Sequence, residues 1–495
     1  MASRRRQKED FAGREIQLER LAALWRRRKD AALVTCTGRR RIGKSRLILE
    51  FGETAGHVFY EFQGLPPREG QTDADQLSYF GERLGEYMGL EEKMPVNSWT
   101  QAFAVLERLL PDKGKTVVLL DEISWMGQHD ADFAGKIKDA WDTRFSKKRG
   151  LVMVLCGSVS AWIDENIIQH TGFLDRIAMR IELPEISLAE SSGLVWGKSP
   201  QVSELEQLRM LSVTGGVPGY LEQLDPKASA EDNIHRLCFQ PEGGLFRKGG
   251  RIDEFDAIFN KVFARRADIY RRIAVALARG SKTLSEVSGK LGKARAGYLS
   301  KYLRDMEIAG FVKEEPHFTV GEGEGKISHF RLGDNYLRFY LKYIEPKKKQ
   351  IAGGRFKWNG LEKLPAWNTL LGFQFENLVL NNADIVARLL GIEDKVIRSG
   401  PFYQPATQRR RGCQFDLLFE TEHSLYCCEM KLRRETPKKV IGDMQDKLSR
   451  LFLPRKQKHL NRFPILIHAG ELDPGIAEAG YFHTIINFGT ILKGK

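Results

Sequence analysis

The residues Gly38-Arg39-Arg40-Arg41-Ile42-Gly43-Lys44-Ser45 set two glycines, a lysine and a hydroxyl at the spacing of a phosphate-binding loop: Gly, four free positions, Gly, Lys, then Ser or Thr. The glycines let backbone N–H groups curl around phosphate oxygens, and a helix beginning at the loop adds the positive end of its dipole. Lys44 would reach the β- and γ-phosphates of a nucleoside triphosphate, and the Ser45 hydroxyl would ligate Mg²⁺, with Arg46 next on the helix. The competing reading is a plain glycine-rich turn before an ordinary helix. Further along, Asp121-Glu122 supplies what such a loop lacks. Asp121 would hold Mg²⁺ through its shell, and Glu122 would orient and deprotonate the attacking water.

A second set of reactive types lies toward the other end. Phe415–Phe419 (FDLLF) reads as a strand, Thr421–Ser424 as a turn and Leu425–Leu432 (LYCCEMKL) as the returning strand. If residues 420 and 425 close this hairpin, Asp416 falls directly opposite Glu429, and two-residue alternation puts Lys431 on the same face. Two carboxylates there could hold Mg²⁺ while the lysine activates water and offsets charge on a scissile phosphate. Bare Glu-x-Lys triplets recur at Glu91, Glu324, Glu345 and Glu393; only the one at Glu429 has strand context and an opposing Asp. A structural, salt-bridged hairpin is the alternative.

The elements needed to position these groups are legible. Ala31–Thr37 reads as a short buried strand before the loop, and Arg46–Phe51 as the first turns of a helix after it. Thr116–Leu120 is a strand delivering Asp121-Glu122. Leu151–Cys156 is another, ending at Gly157-Ser158, where Ser158 could sense a γ-phosphate or merely start a turn. Residues Ile269–Arg279, Thr283–Leu291 and Arg295–Ile308 read as three helices, the second opening on a Thr283/Glu286 capping box. Gly310-Phe311-Val312 begins a strand, Gly321–Gly325 makes a loose turn, and Ile327–Leu332 returns. Lys293, Arg295, Lys301 and Arg304 make the third helix basic enough for a DNA groove, whereas Glu322 and Glu324 at the hairpin tip would be repelled by phosphates. Residues 346–364 are rich in Lys and Gly and read as a linker.

A net charge of +14 and a pI near 9.3 favour an anionic partner, since the cations cluster at Arg4–Arg6, Arg26–Lys29, Lys347–Lys349, Arg409–Arg411 and Lys438-Lys439. No apolar run approaches the roughly 18 residues of a membrane span. Residues 1–10 lack the apolar core of a secretory signal. The six cysteines are scattered without a CxxC pair, which suits reduced, buried thiols in the cytoplasm and implies neither zinc nor disulfides.

Taken together, Phe11-Ala12-Gly13-Arg14-Glu15, the GRRRIGKS loop, Asp121-Glu122, Gly157-Ser158, Arg176 and Thr214–Leu221 (TGGVPGYL) resemble the archaeal-type ATPases of the STAND class. The resemblance runs in order over most of residues 9–345. It implies a nucleotide-driven switch rather than a fast hydrolase, with Pro218 near the base of the nucleotide and Arg176 sensing or stabilising the γ-phosphate. Here Leu174-Asp175 replaces the family's Tyr-Gly before that arginine. The helices and hairpin would be a winged helix-turn-helix, a module that in this class binds DNA, docks proteins or autoinhibits. The C-terminal trio resembles the D…ExK core of PD-(D/E)xK nucleases, found in one branch of these ATPases, though the Pro usual before the Asp is missing. By that likeness Glu376 is the upstream acid and Gln445 a supporting polar residue.

The expectation is an α/β chain with a P-loop NTPase domain, a parallel sheet between helices, over 1–190. A helical lid (191–265), a winged helix (266–345), the linker (346–364) and a restriction-endonuclease-like domain (365–495) follow. Its function is expected to be a slowly hydrolysing Mg-ATP switch coupled to an Mg-dependent nuclease-like domain acting on DNA. The alternative is a non-cleaving, ATP-gated regulator of DNA or protein with a silent nuclease fold. A regulatory protein partner and a homo-oligomer are further expectations, and no membrane association is expected.

Overall fold

The computed structural model describes residues 11, 13–27, 30–54, 57–158, 160–197, 202–245, 267–292, 296–321, 323–408 and 410–494. The chain divides into two compact units. The first runs to Glu185 and takes in Ile308–Gly310; the second comprises the other described residues from Ile186 onward.

In the first unit, β1 (Ala32–Thr37), β2 (Val58–Gln63), β3 (Lys113–Asp121), β4 (Arg149–Cys156) and β5 (Ile177–Glu182) form one sheet in the order β2-β3-β4-β1-β5. Every neighbouring pair is parallel. A parallel sheet must be covered on both faces, which is why β1, most of β4 and the second half of β3 are buried continuously rather than at alternate residues. Val34, Cys36, Val117, Leu119 and Val154 face one core with Leu21 of α1 (Glu15–Arg27) and Leu47, Ile48 and Phe51 of α2 (Lys44–Thr54). Their sequence neighbours Leu33, Val118, Leu120, Met153 and Leu155 face the other. There they meet Phe80 of α3 (Asp73–Met88), Phe103 of α4 (Trp99–Leu109) and Trp141 of α5 (Phe133–Thr143). This is the parallel sheet between helices that the sequence implied.

The second unit begins with α6 (Leu188–Trp196) and α7 (Glu204–Thr214). Next come α8 (Ala267–Leu277), β6 (Lys282–Thr283), α9 (Leu284–Lys290) and α10 (Ala296–Ile308), then a hairpin of β7 (Val312–Thr319) and β8 (Gly323–Leu332). The capping box forms: Glu286 N donates to Thr283 Oγ1 at 3.3 Å and Thr283 N to Glu286 Oε2 at 2.7 Å. β6 pairs antiparallel with β8, opposite β7. The hairpin is longer than its composition suggests, because β8 already starts at Gly323 inside the expected loose turn. Its tip is docked: Val320 is buried in the core of the C-terminal sheet, and Gly321 N donates to Glu420 Oε1 at 2.8 Å.

That sheet holds β9 (Arg398–Gln404), β10 (Cys413–Glu420), β11 (Ser424–Thr436), β12 (Asn461–Leu472) and β13 (Thr484–Asn487), in the order β13-β12-β11-β10-β9. The first three strands run antiparallel. β11, β12 and β13 are parallel, with α12 (Lys439–Arg450) making the crossover from β11 to β12 that parallel pairing demands. α11 (Trp367–Leu380) precedes the sheet and is buried on several sides. Its Gln374 Nε2 donates to Ser212 O and to Asn335 O, each at 2.7 Å, and its Oε1 accepts from Arg338 at 2.9 Å. Asn377 binds Asn335 Oδ1 at 2.5 Å and also accepts from Arg331. α11 is thus bonded to α7 and to the short helix Asn335–Phe339 through side chains rather than a greasy seam.

The stretch 346–364 is not a free linker. Phe356 stacks on Phe239 with centroids 5.0 Å apart and Trp358 on His235 at 4.9 Å, while Ile351 and Leu361 are buried. Apolar anchors separated by Lys and Gly show no period, so the sequence hides them. All six cysteines are buried and unbridged. Among the described residues no helix is long and apolar enough to cross a membrane.

Candidate functional site

The first site forms at the carboxyl ends of β1, β3 and β4, where open parallel sheets place their ligands. Gly38 sits at φ +141°, and a Cβ there would meet Leu183 O at 2.8 Å; Gly43 sits at φ +93°. The loop's curl therefore excludes other residues at both positions. Lys44 opens α2, and its Nζ donates to the carbonyls of Gly38 at 2.9 Å and Arg39 at 3.0 Å, which holds the ammonium inside the loop. Ser45 Oγ donates to Asp121 Oδ2 at 2.6 Å, so the two expected Mg²⁺ ligands already meet.

Glu122 has a left-handed backbone at φ 50°, uncommon for a non-glycine residue and a mark of strain at functional sites. That turn brings its carboxylate back over the sheet, where Oε2 accepts from Ser158 N at 3.0 Å and from Ser158 Oγ at 2.8 Å. Burial raises the Glu122 pKa, Lys44 opposes that rise, and Asp121 adds to it. The loop's other members are placed unequally. Ile42 and Arg39 are buried, with Arg39 Nη1 3.5 Å from Glu185; Arg40 and Arg41 are half-buried, and Arg41 takes a positive φ of 64°. Arg46 pairs with Glu50 at 3.8 Å, one helical turn on. Arg14, from the motif that precedes α1, braces the loop by donating to Ile42 O at 3.3 Å and Pro184 O at 2.6 Å.

Arg176, the residue the resemblance assigns to the γ-phosphate, lies against α5. Its guanidinium is held bidentately by Asp142 of α5, at 2.7 and 2.9 Å. Pro218 opens the short helix Pro218–Leu221 of the second unit. Lys301 and Arg304 lie exposed on α10, while Arg295 falls outside the described residues.

The second site grows from the β10–β11 hairpin. Glu420 pairs with Leu425 and Leu417 with Cys428, so the register runs as expected and puts Asp416 opposite Glu429. The ladder stops there because Asp416 turns its side chain onto the neighbouring strand: Met430 N donates to Asp416 Oδ2 at 2.8 Å. Glu429 is buried, and its two oxygens accept from Lys431 Nζ and Lys447 Nζ, each at 2.5 Å. Burial and Glu429 push the Asp416 pKa up to about 6. Glu376, on α11, belongs to the same cluster. Burial, then Asp416, push its pKa up to about 7, while Arg338 and Lys431 pull the other way.

Glu376, Asp416, Glu429 and Lys431 are therefore brought together. Gln445 is not; it is exposed, and Lys447, two residues on, supplies the contact from α12. The signal for Lys447 was helical facing, as the buried Val440 and Met444 recur with it at i, i+4 and i+7. Among the described residues no three His, Cys, Asp or Glu side chains form a ready-made metal cage. Two crowded carboxylates still fit Mg²⁺, which takes one or two protein carboxylates and keeps its waters.

No protein-family profile matches the chain. An uncharacterized protein of Methanocaldococcus jannaschii is 22% identical over 433 residues, covering 85% of this chain and 88% of that one. Among solved structures, a Walker-type ATPase of Pyrococcus abyssi aligns with TM-score 0.48 at 17% identity, covering 68% of this chain and 97% of the other. The ORC2 protein of Aeropyrum pernix aligns with TM-score 0.40 at 14% identity, covering 71% and 97%. Sheet order, loop and acidic pair define the first unit as an α/β P-loop nucleotide-binding fold.

Proposed function

We propose that this chain is an ATP-binding, slowly hydrolysing switch of the STAND type, coupled to an Mg-dependent nuclease-like centre that acts on DNA. In the first unit Lys44 would neutralise phosphate charge, Ser45 and Asp121 would hold Mg²⁺, and Glu122 would take a proton from the attacking water. Its raised pKa moves it toward the range where a general base works best. The Ser158 bonds hold Glu122 in place, and their release on nucleotide binding would make a switch of this pair.

In the second unit, Mg²⁺ at Asp416 and Glu429 would supply Lewis-acid charge to a phosphodiester. Lys431 would offset charge on the scissile phosphate and orient water, and Glu376 would accept a proton. The observation that carries the reading is the crowd of three carboxylates, Glu376, Asp416 and Glu429, around Lys431: two of them are held far above their usual pKa. A merely structural ion pair would not need that repulsion.

A second reading, a non-cleaving ATP-gated regulator whose C-terminal domain docks DNA or a protein, is favoured by two observations. Both Glu429 oxygens are already neutralised by lysines. The hairpin tip docked by Val320 likewise suits a winged helix used as an internal brace. Incubating the purified chain with supercoiled plasmid and Mg²⁺ or Mn²⁺, with and without ATP, tests both. Nicking that vanishes in Asp416→Ala supports the first; salt-sensitive gel shifts without nicking support the second.

A further inference from the structure

A cavity of about 600 Å³ opens beside α8, and no metal, nucleotide or carboxylate chemistry described above uses it. Three elements converge on it: α8 with the turn after it, β6, and the end of α9. They contribute Arg272, Arg279, Lys282 and Lys290, over a floor that includes Val275 and Leu291. Arg272 stands on α8 and Arg279 in the turn that follows its last residue, Leu277.

The charge is unbalanced. Arg271, also at the rim, is engaged by Glu345, with contacts of 2.7 and 2.6 Å, and Glu345 is the one carboxylate among the described residues lining the cavity. Arg272 donates to Leu291 O at 3.1 Å, which fixes its direction without neutralising it. Glu286 lies close enough to Lys282 to feel its charge, but its carboxylate is held by the Thr283 cap. Four cations therefore face the cavity with no carboxylate of their own on its lining.

We propose that this cleft seats the sugar-phosphate backbone of nucleic acid, separately from the basic face of α10. The cations stand on an accessible rim and Val275 is 47% exposed on the floor. This suits a strand passing through, with sugar against the apolar floor and phosphates at the rim. The choice of ligand rests on the DNA reading above; the site itself rests on the geometry.

The test is fluorescence anisotropy of a labelled duplex of arbitrary sequence with the full chain, over a salt series. Arg279→Ala/Lys290→Ala should flatten the slope of log K against log salt by about 1.8, at about 0.9 per phosphate contact, while ATP affinity and thermal unfolding stay at wild-type values. Lys301→Ala/Arg304→Ala on α10 is the comparison. If wild type binds and the cleft variant keeps the full slope, the cleft assignment is overturned while the DNA reading stands. If wild type binds no duplex even at low salt, both fall.

Discussion

Replacing Glu376 by Gln should make the metal-free protein more stable above neutral pH. Burial and the Asp416 charge raise the Glu376 pKa from 4.5 to about 7. A carboxyl group held above its unfolded-state value binds its proton more tightly in the folded chain. Its contribution is therefore favourable at low pH, and a penalty develops as pH rises from 4.5 through about 7. The whole gap corresponds to about 3 kcal/mol, and partial solvent access brings the working figure to roughly 1–2 kcal/mol. Gln keeps the shape and removes the charge. Urea unfolding of the full chain in EDTA, at about pH 5 and about pH 8, reads this out. The variant should match wild type at the lower pH and unfold roughly 0.3–2 M later at the higher one, for slopes of about 1–3 kcal/mol per molar. Parallel shifts at both pH values would refute the claim that these carboxylates crowd one another.

Glu122→Gln should keep ATP binding and lower turnover by about 10²- to 10⁴-fold, the usual worth of a positioned base; nucleotide titration alongside phosphate release measures both. Gln374→Ala should destabilise the second unit by roughly 2–4 kcal/mol, because it strips partners from buried Ser212 O, Asn335 O and Arg338. Calorimetry of the intact chain checks it, and an unchanged transition would mean α11 is held by packing alone. Asp416→Ala should remove Mg²⁺-dependent nicking altogether while leaving ATP turnover in place.

The sequence made the first site almost wholly legible, because its chemistry is local. Gly38 to Ser45 carry their own backbone requirement, and Asp121-Glu122 ends an apolar run that admits one strand placement. The β10–β11 register was also readable, since a turn at 421–424 fixes every facing pair. Long-range partners were not. Arg14 reaches Ile42 through a fold that no spacing announces, and Arg176 turns to Asp142 because a half-buried guanidinium takes the best carboxylate the fold presents. The docked hairpin tip and the anchored 346–364 stretch were hidden for one reason: single residues such as Val320 and Trp358 bind pockets built by distant segments, and an isolated apolar residue has no period to detect. Lys447 rather than Gln445 meets Glu429 because it shares the helix face of the buried Val440 and Met444.

The measurement that bears most directly on the account is the rate of plasmid nicking by Lys44→Ala beside wild type, each with Mg²⁺ and with or without ATP. Lys44 Nζ is held in the phosphate loop of the first unit, whereas Asp416 and Glu429 lie in the second. Wild type should nick in an ATP-dependent manner, and Lys44→Ala should lose this dependence with its carboxylate centre untouched. Nicking by Lys44→Ala that still responds to ATP as wild type does would contradict it, as would a wild-type chain that nicks under none of these conditions.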